Sequence, residues 1–413
     1  MSLFTSENFA SAAASGKDWR EASKNVLDKL DGLEPKDKKR FNFGFLYISD
    51  YLADDANSIL NLFRSVLEIE NWIGCVGMGV IGTGESFVDK PAIAAMIGHM
   101  DEDGFCIFPQ ISEDRAHSDQ DRVKTWLSSH VPMLTLVHGD PLSEEDPIMM
   151  LRELEKSTGA FLIGGLSSSR SHHYQIASAV CENAICGAFF DQSLPVVTTL
   201  SQGCEPISDF HTITKAQDNI VFELDGKPAL DVFQDTMRAL AAKKLGKTPG
   251  DFNADLTAIR KSEDIPEEFQ SLFKGQVHVA FPLSQSDQKD YLVRNIMGID
   301  ADQYALAVSE QVSAGDRMLF VERDQATVAK DLTKNLVSLK ERVIAQYGDF
   351  NPKAGIYVSC VARGYAPDKV TEETEIRILQ DMIGKIPMAG FYAGGEISNA
   401  RLYGYTGILI LFL

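Results

Sequence analysis

The sequence lacks an apolar run long enough to cross a bilayer, and its first residues carry neither the basic segment nor the apolar core of a secretory signal peptide. The longest apolar run, TGILILFL at 406–413, has only the length of a strand, and we expect it to form a buried closing strand. These absences predict a cytoplasmic protein without a membrane partner.

Positive charge is also scarce. Lys and Arg together number 39 against 59 Asp and Glu, which gives a formal net charge of -20. Because nonspecific binding to a phosphate backbone depends on clustered basic side chains, this balance argues against nucleic acid as a partner.

Paired cysteines are missing as well. The six cysteines have no short paired spacings, which favours reduced thiols over a disulfide framework, and no group of cysteines and histidines has the spacing of a zinc site. We therefore predict no structural metal. The cysteines are Cys75, Cys106, Cys181, Cys186, Cys204 and Cys360.

What the sequence does contain is enough apolar material, 44% of 413 residues, for two or three domains. Residues 1–40 are polar and helix-prone, which predicts an N-terminal helical extension. At Phe41 the character changes to a buried strand.

From there a strand, a helix and a glycine-rich strand follow one another three times. In the second occurrence Asp146 and Pro147 can start the helix and Gly159 can stop it. Any α/β protein alternates in this way, but alternation alone does not explain a glycine-rich element in the same place each time. Those elements are WIGCVGMGVIG at 72–82, FLIGGLSSS at 161–169 and MAGFYAGGEIS at 388–398.

The stretch between the second and third occurrences is different. Short strands about ten residues apart indicate antiparallel pairing. Together the segments predict an α/β fold with mixed α+β layers, in which two related domains have mixed sheets built from repeated strand–helix–glycine-rich-strand units.

With these segments laid out, the chain from about Phe41 to Leu413 resembles the FIST (F-box and intracellular signal transduction) family. The resemblance implies an N-terminal-type domain at 41–218 and a C-terminal-type domain at 219–413. Besides the glycine-rich elements, it rests on SQGCEPIS at 201–208, FELDGKPALD at 222–231, YLVRNIMGID at 291–300, VSCVARG at 358–364 and YGYTG at 403–407.

The resemblance implies an intracellular sensor of a small ligand, with amino acids as the usual suggestion for the family. Some members bind haem and sense nitric oxide. Bacterial relatives are often fused to kinases or chemotaxis transducers and eukaryotic relatives carry an F-box, but this sequence has room for neither. The output is therefore expected to pass through a separate signalling protein or a change of oligomeric state, or to be absent.

Candidate ligand-binding residues cluster near the end of the predicted strand at 354–364. Cys360 precedes Arg363 and Gly364, and crevices open at the carboxyl ends of strands in α/β sheets. A guanidinium beside a thiol lowers the thiol pKa, and an arginine among apolar residues needs an anionic partner from the protein or the ligand. Glu396 follows Gly395 in an otherwise apolar strand, where it can hold a ligand ammonium or pair with an arginine.

Further candidates lie outside this segment. Arg294, on the strand YLVRNIMG, is a second possible anchor for a carboxylate. Glycines that let a backbone approach a ligand complete the predicted site. They are Gly164 and Gly165, together with Gly203, which Cys204 follows.

We expect binding rather than catalysis, because no Gly-x-Ser-x-Gly motif occurs and GVIGTGES lacks the lysine of a phosphate loop. No cofactor is predicted. Three alternatives stay open: a haem-based nitric oxide sensor using His172, His173 or another histidine, an enzyme with Cys360 as nucleophile, and an interaction module without a ligand.

Overall fold

A computed structural model describes residues 4–6, 8–30, 41–109, 117–246, 277–283, 291–323, 325–364 and 370–413. The chain divides into two compact units. The first unit combines Met1–Gln202 with Ala329–Leu413, and the second is Gly203–Val328. The second unit is thus inserted into the sequence of the first.

The first unit repeats one order of elements three times. Each repeat runs strand, helix, strand, helix and then four strands. In repeat one these are β2 Phe9–Ser15, α1 Trp19–Leu30, β3 Phe43–Ser49, α2 Ala56–Leu67, β4 Asn71–Gly77, β5 Gly79–Gly82, β6 Glu85–Val88 and β7 Ala92–Gly98, with β1 Phe4–Thr5 before them and a 3-10 helix Asp50–Asp55 preceding α2.

Repeat two has the same order. Its helix α4 starts as the sequence predicts, since Asp146 accepts from the amide of Ile148 and Gly159 ends the helix with a φ of 67°. The elements are a 3-10 helix Glu102–Gly104, β8 Phe105–Phe108, α3 His117–Ser129, β9 Pro132–Gly139, α4 Pro147–Thr158, β10 Phe161–Leu166, β11 Gln175–Ala177, β12 Val180–Cys181 and β13 Ile185–Asp191.

The inserted second unit follows the first strand of repeat three, β14 Val196–Ser201. Its strands pair antiparallel, as predicted, in the order β20-β19-β23-β16-β17-β22-β21 with β15 and β18 alongside. They are β15 Glu205–Pro206, β16 His211–Gln217, β17 Ile220–Leu224, β18 Lys227–Pro228, β19 Val277–Pro282, β20 Tyr291–Arg294, β21 Ile296–Asp300, β22 Ala305–Val308 and β23 Arg317–Glu322, with helix α5 Ala229–Leu245.

After the insertion, repeat three continues in the order of the other two. Its last strand is the run predicted to be buried, and all of its residues are. The elements are α6 Gln325–Tyr347, β24 Ala354–Cys360, α7 Val361–Gly364, α8 Val370–Ile383, β25 Met388–Ala393, β26 Gly395–Ser398, β27 Arg401–Tyr403 and β28 Gly407–Phe412.

Each repeat forms most of one mixed sheet, and the three repeats exchange strands in a cycle. The sheets are β2-β7-β3-β4-β11-β12, β8-β13-β9-β10-β26-β27 and β14-β28-β24-β25-β5-β6, with β1 beside β2. In each, the two central strands joined by a helix are parallel and their other neighbours are antiparallel. Every repeat therefore completes its neighbour's sheet with its fourth and fifth strands, which form the short hairpins β5-β6, β11-β12 and β26-β27.

The recurring glycine has a steric cause. A Cβ on Gly74, Gly164 or Gly390 would lie 1.8 to 1.9 Å from a carbonyl oxygen of the adjacent parallel strand. No side chain fits at that separation. The same close approach of two strands therefore explains why the glycine recurs in each repeat.

The packing follows the same threefold pattern. The inner faces of the three sheets share one central apolar cluster, to which Phe45, Leu136 and Ile356 each contribute from one repeat. The outer faces pack under helices: α1 and α2, α3 and α4, and α6 and α8, respectively. The predicted α/β fold of repeated units is confirmed, with all three units in the first compact unit.

The beginning of the chain differs from the helical extension predicted for residues 1–40. The segment FASAAAS is the strand β2, which pairs with β7 from Phe9–Gly98 to Ser15–Ala92, and only then does α1 follow. Alanine favours helices in isolation, but pairing with β7 in a sheet overrides that preference. Residues 31–40 lie outside the described residues.

Candidate functional site

Repeat three places two predicted site residues beside each other in the first unit. Cys360 ends β24, and its amide donates to the carbonyl of Thr406 at 2.9 Å. Glu396 lies on β26, and its Oε2 accepts from the amide and the hydroxyl of Thr406 at 3.0 and 2.8 Å. A hydrogen bond from the Cys360 thiol contributes to the pKa of Glu396. Thr406 thus joins the two strands that carry the thiol and the carboxyl.

Glu396 is fully buried, and its carboxyl is only half satisfied. In the part of the chain that the structure describes, Oε1 has no nitrogen or oxygen donor. Burial raises the pKa of Glu396 to about 7, although the hydrogen bonds from Thr406 and Cys360 and the charge of Arg363 act in the opposite direction. The carboxyl therefore changes its charge near neutral pH.

The other repeats place uncharged residues where repeat three places this acid. Val80 on β5, Gln175 on β11 and Glu396 on β26 each pair with the residue that follows the recurring glycine. A valine at this position fits the apolar interior, and a buried carboxyl there costs desolvation energy. The repeated fold therefore does not require an acid at this position, and Glu396 is specific to repeat three.

Arg363 is fully buried and paired with Glu375 on α8. Its Nε donates to Oε1 of Glu375 at 2.5 Å, and Nη2 lies against the same oxygen. Its Nη1 donates to the carbonyls of Ser201 and Tyr405 at 3.0 and 3.4 Å. Burial lowers the pKa of Arg363, but Glu375, Tyr357 and Cys360 together outweigh this effect, so the pKa is raised overall.

Glu375 is satisfied on its second oxygen as well. Its Oε2 accepts from the hydroxyls of Tyr357 and Ser359, both on β24, at 3.3 and 3.2 Å. Burial and the negative charge of Glu375 together raise the pKa of Tyr357. The sequence-based hypothesis allowed Arg363 a protein carboxylate or a ligand; the structure gives it the carboxylate of Glu375, and not that of Glu396.

Three of the five glycines predicted for the site lie on the paired strands at Glu396, Gly164 and Gly165 on β10 and Gly395 on β26. Gly165 is paired with Glu396 and Gly395 with Leu166. A Cβ on Gly165 would lie 2.9 Å from side-chain atoms of both Ala393 and Val358. Gly364 ends α7, one residue after Arg363. Close packing of strands thus accounts for Gly165. Together with Gly164, seven of the ten predicted site residues lie in the first unit.

The remaining three predicted residues belong to the second unit. Arg294 donates from Nε to Glu310 at 2.7 Å, so this arginine also has a carboxylate partner within the protein. The hydroxyl of Tyr291 donates to the carbonyl of Cys204 at 3.0 Å. Gly203 has a φ of 65°, a conformation that glycine adopts without strain.

Sequence reasoning missed several polar residues of the first unit. His138 and Gln175 are fully buried, and in the described residues His138 Nδ1 and Gln175 Oε1 have no hydrogen-bond partner. Burial lowers the pKa of His138 to about 3, so its ring is neutral beside the Tyr47 hydroxyl, 3.3 Å from Nε2. The only signal for His138 was its place at the end of an apolar strand, in VHGD.

The histidines considered for haem lie on the surface or near it. His172 stacks on Tyr174 and lies 3.5 Å from Asp54, and His173 lies 3.5 Å from the Ser167 hydroxyl. Among the described residues no group of three or more His, Cys, Asp and Glu side chains is arranged to hold a metal ion.

These features define a class: an internally repeated mixed α/β protein in which one repeat carries a buried, half-satisfied carboxyl beside a thiol. Models of the FIST N domain and the FIST C domain match residues 42–227 and 255–399. The chain therefore belongs to the FIST family, whose domains are recognised as sensory domains in signal transduction. The sequence boundary predicted near residue 218 stays a prediction, and the compact units divide the chain elsewhere.

Similar proteins occur in mycobacteria. The chain is 25% identical over 380 residues to the uncharacterized protein Rv0628c of Mycobacterium tuberculosis, covering 87% of this chain and 88% of the relative. It is 22% identical over 407 residues to the uncharacterized protein Mb0898c of Mycobacterium bovis, covering 95% and 94%. In the described part of the chain, no helix has the length and apolar character needed to span a bilayer.

Proposed function

We propose that this chain is a sensor that binds a small metabolite carrying an ammonium or another hydrogen-bond donor, such as an amino acid, at Glu396. The observation that carries the proposal is the Oε1 atom of Glu396, which is buried and has no nitrogen or oxygen donor among the described residues. A buried polar atom without a partner loses the hydrogen bonds it made to water, and a ligand donor restores one.

Two further observations support this assignment. Repeat one has a valine at the position of Glu396, so the acid is not a requirement of the repeated fold. The pKa of Glu396, raised by burial to about 7, lets the carboxyl ionise when a cationic ligand group arrives. Arg363 then acts by holding β24 and α8 together through Glu375, and its positive charge favours the ionised form of Glu396.

The proposal is tested with the twenty amino acids and a set of small primary amines. Thermal melts of the full chain identify compounds that stabilise it, and calorimetry gives their affinities. Glu396→Gln should weaken the best binder by about ten- to a hundredfold, because a charge-assisted hydrogen bond contributes about 1.5 to 3 kcal/mol.

A matched control is Glu322→Gln, which changes a buried carboxylate of the second unit that pairs with Lys244. It should leave the affinity unchanged. If no compound in the set stabilises the protein, or if Glu396→Gln binds as tightly as the natural protein, the proposal is wrong.

A second candidate is an enzyme that uses Cys360 as nucleophile. It is favoured by one observation: the thiol hydrogen-bonds to a carboxyl whose pKa, near 7, suits it to accept a proton. This candidate predicts a covalent adduct on Cys360 in protein mixed with a reactive acyl compound, seen by mass spectrometry and absent in Glu396→Gln.

The sensor proposal includes a cytoplasmic location and an output through a separate signalling protein or a change of oligomeric state, in keeping with the sensory role of the family. A haem-based sensor is the alternative within the same class. It predicts a Soret band, whereas we expect the purified protein to be colourless.

A further inference from the structure

Two thiols in repeat two lie in direct contact. The Sγ atoms of Cys181 and Cys186 are 3.6 Å apart, and both side chains are buried. A disulfide has a sulfur–sulfur distance of about 2.05 Å, so the two atoms need to approach by about 1.6 Å. Side-chain rotation and a small backbone adjustment can supply such a shift.

The backbone between the thiols is a short surface connection. Glu182 and Asn183 are exposed, and Asn183 has a φ of 54°, which is a turn conformation. Cys181 ends β12 and Cys186 is the second residue of β13. Because a turn rather than a regular strand joins them, the two strands can adjust when a bond forms.

The pair also joins two different sheets. β12 is the edge strand of the first sheet, beside β11, while β13 lies within the second sheet between β9 and β8. Cys181 is paired with Gln175 and Cys186 with His138. A bond between the two sulfurs would therefore connect the sheets next to two polar side chains of the interior.

We propose that Cys181 and Cys186 form an internal disulfide when the protein meets hydrogen peroxide, which makes repeat two a redox modification site. The Cys181 thiolate attacks a peroxide oxygen; an S–O bond forms, the O–O bond breaks and, after proton uptake, water leaves. Cys186 then attacks the sulfenic sulfur, forming the S–S bond and expelling hydroxide, which leaves as a second water. Two thiols are oxidised and one peroxide is reduced to two waters.

The order of the two steps follows from exposure. Cys181 is 6% exposed and Cys186 is 0% exposed, so peroxide reaches Cys181 first. Cys186 already lies at contact distance and resolves the sulfenic acid before it is oxidised further. This modification is independent of ligand binding at Glu396.

The sequence allows the bond to be mapped directly. Trypsin leaves Cys181, Cys186 and Cys204 in one peptide, 171–215, and cleavage after Glu182 and Asp191 separates the three. The native full chain is treated with peroxide, free thiols are alkylated, and the digest is analysed by mass spectrometry. We expect 171–182 linked to 183–191, with Cys204 alkylated in the fragment that begins at Gln192.

Two variants test the assigned order. Cys186→Ser should stop at a sulfenic acid on Cys181 that dimedone labels, and Cys181→Ser should leave Cys186 unoxidised at the same peroxide dose. Cys106→Ser is the matched control, because Cys106 is also buried. This substitution should leave the crosslink between Cys181 and Cys186 intact. The proposal is overturned if peptides 171–182 and 183–191 stay unlinked in the natural protein, or link only after denaturation.

Discussion

Arg363 and Glu375 form a buried ion pair that joins the end of β24 to helix α8. The Nε atom of Arg363 lies 2.5 Å from Oε1 of Glu375, and the exposures of the two residues are 0% and 2%. Hydroxyls of Tyr357 and Ser359 and two backbone carbonyls complete the hydrogen bonds of the pair. The pair is therefore a structural connection within repeat three.

Removing one member of this pair should destabilise the protein strongly. Arg363→Met leaves the Glu375 carboxylate buried without its cation, which costs about 3 to 5 kcal/mol. We expect a similar loss in Glu375→Gln and a large recovery in the double variant, because that variant retains no unpaired charge. Urea unfolding of the three variants measures the coupling.

The stability of Arg363→Met without ligand also distinguishes Glu375 from a ligand as the partner of Arg363. If Arg363 served a ligand rather than Glu375, the single variant would keep its stability without ligand and lose only binding. Independent, additive effects of the two substitutions would contradict the ion pair as the source of the loss.

The stability of the protein should depend on the protonation of Glu396. Burial raises its pKa from 4.5 to about 7 in the folded state. Between these values the folded protein holds a proton that the unfolded chain has released, so stability falls as pH rises from about 4.5 to about 7. A shift of this size corresponds to about 3 kcal/mol.

The measurement compares the free energy of unfolding of the natural protein and Glu396→Gln at intervals from pH 4.5 to 8. The difference between the two should change across this window and level off above it, because glutamine does not titrate. A constant difference would mean that Glu396 is not a titrating buried acid.

The recurring glycine gives a steric prediction. A Cβ on Gly164 would lie 1.9 Å from the carbonyl oxygen of Val137, so Gly164→Ala must push two central strands apart. We expect a loss of more than about 3 kcal/mol, beyond the usual range for single substitutions, or insoluble protein. Gly298→Ala is the matched control, because nothing lies within 4 Å of a Cβ there, and its melting temperature should not change appreciably.

The sequence predicted the repeated units because strand length, helix periodicity and the recurring glycine are local signals. It did not predict the strand exchange, since nothing local in GVIG at 79–82 tells that β5 pairs with β25 of repeat three. The sequence also did not predict the strand β2, because its alanines favour a helix and their strand conformation depends on pairing with β7, some eighty residues away.

The candidate site was predictable only where a residue has a local signal in the sequence. Cys360 and Glu396 stand out as polar residues on apolar strands. Glu375 does not, because it lies in the acidic stretch EETE, and its contact with Arg363 depends on how α8 packs against the end of β24. Thr406 has no sequence signal at all, since its role depends on where the turn before β28 meets β26.

The thiol of Cys360 should react with iodoacetamide faster than those of Cys75 and Cys186. Cys360 is 7% exposed and the other two are 0% exposed, and burial raises the pKa of Cys75 well above its usual value. Cys360 also lies within the field of the Arg363 guanidinium, which favours the thiolate. A tryptic digest of briefly alkylated native protein leaves Cys360 alone in peptide 354–363. Trypsin does not cleave before Pro91, so Cys75 and Cys106 share peptide 65–115, and cleavage after Glu85 separates them. Cleavage after Glu182 and Asp191 isolates Cys186. Finding Cys360 the slowest of the six cysteines would contradict the prediction and make it an inert core residue.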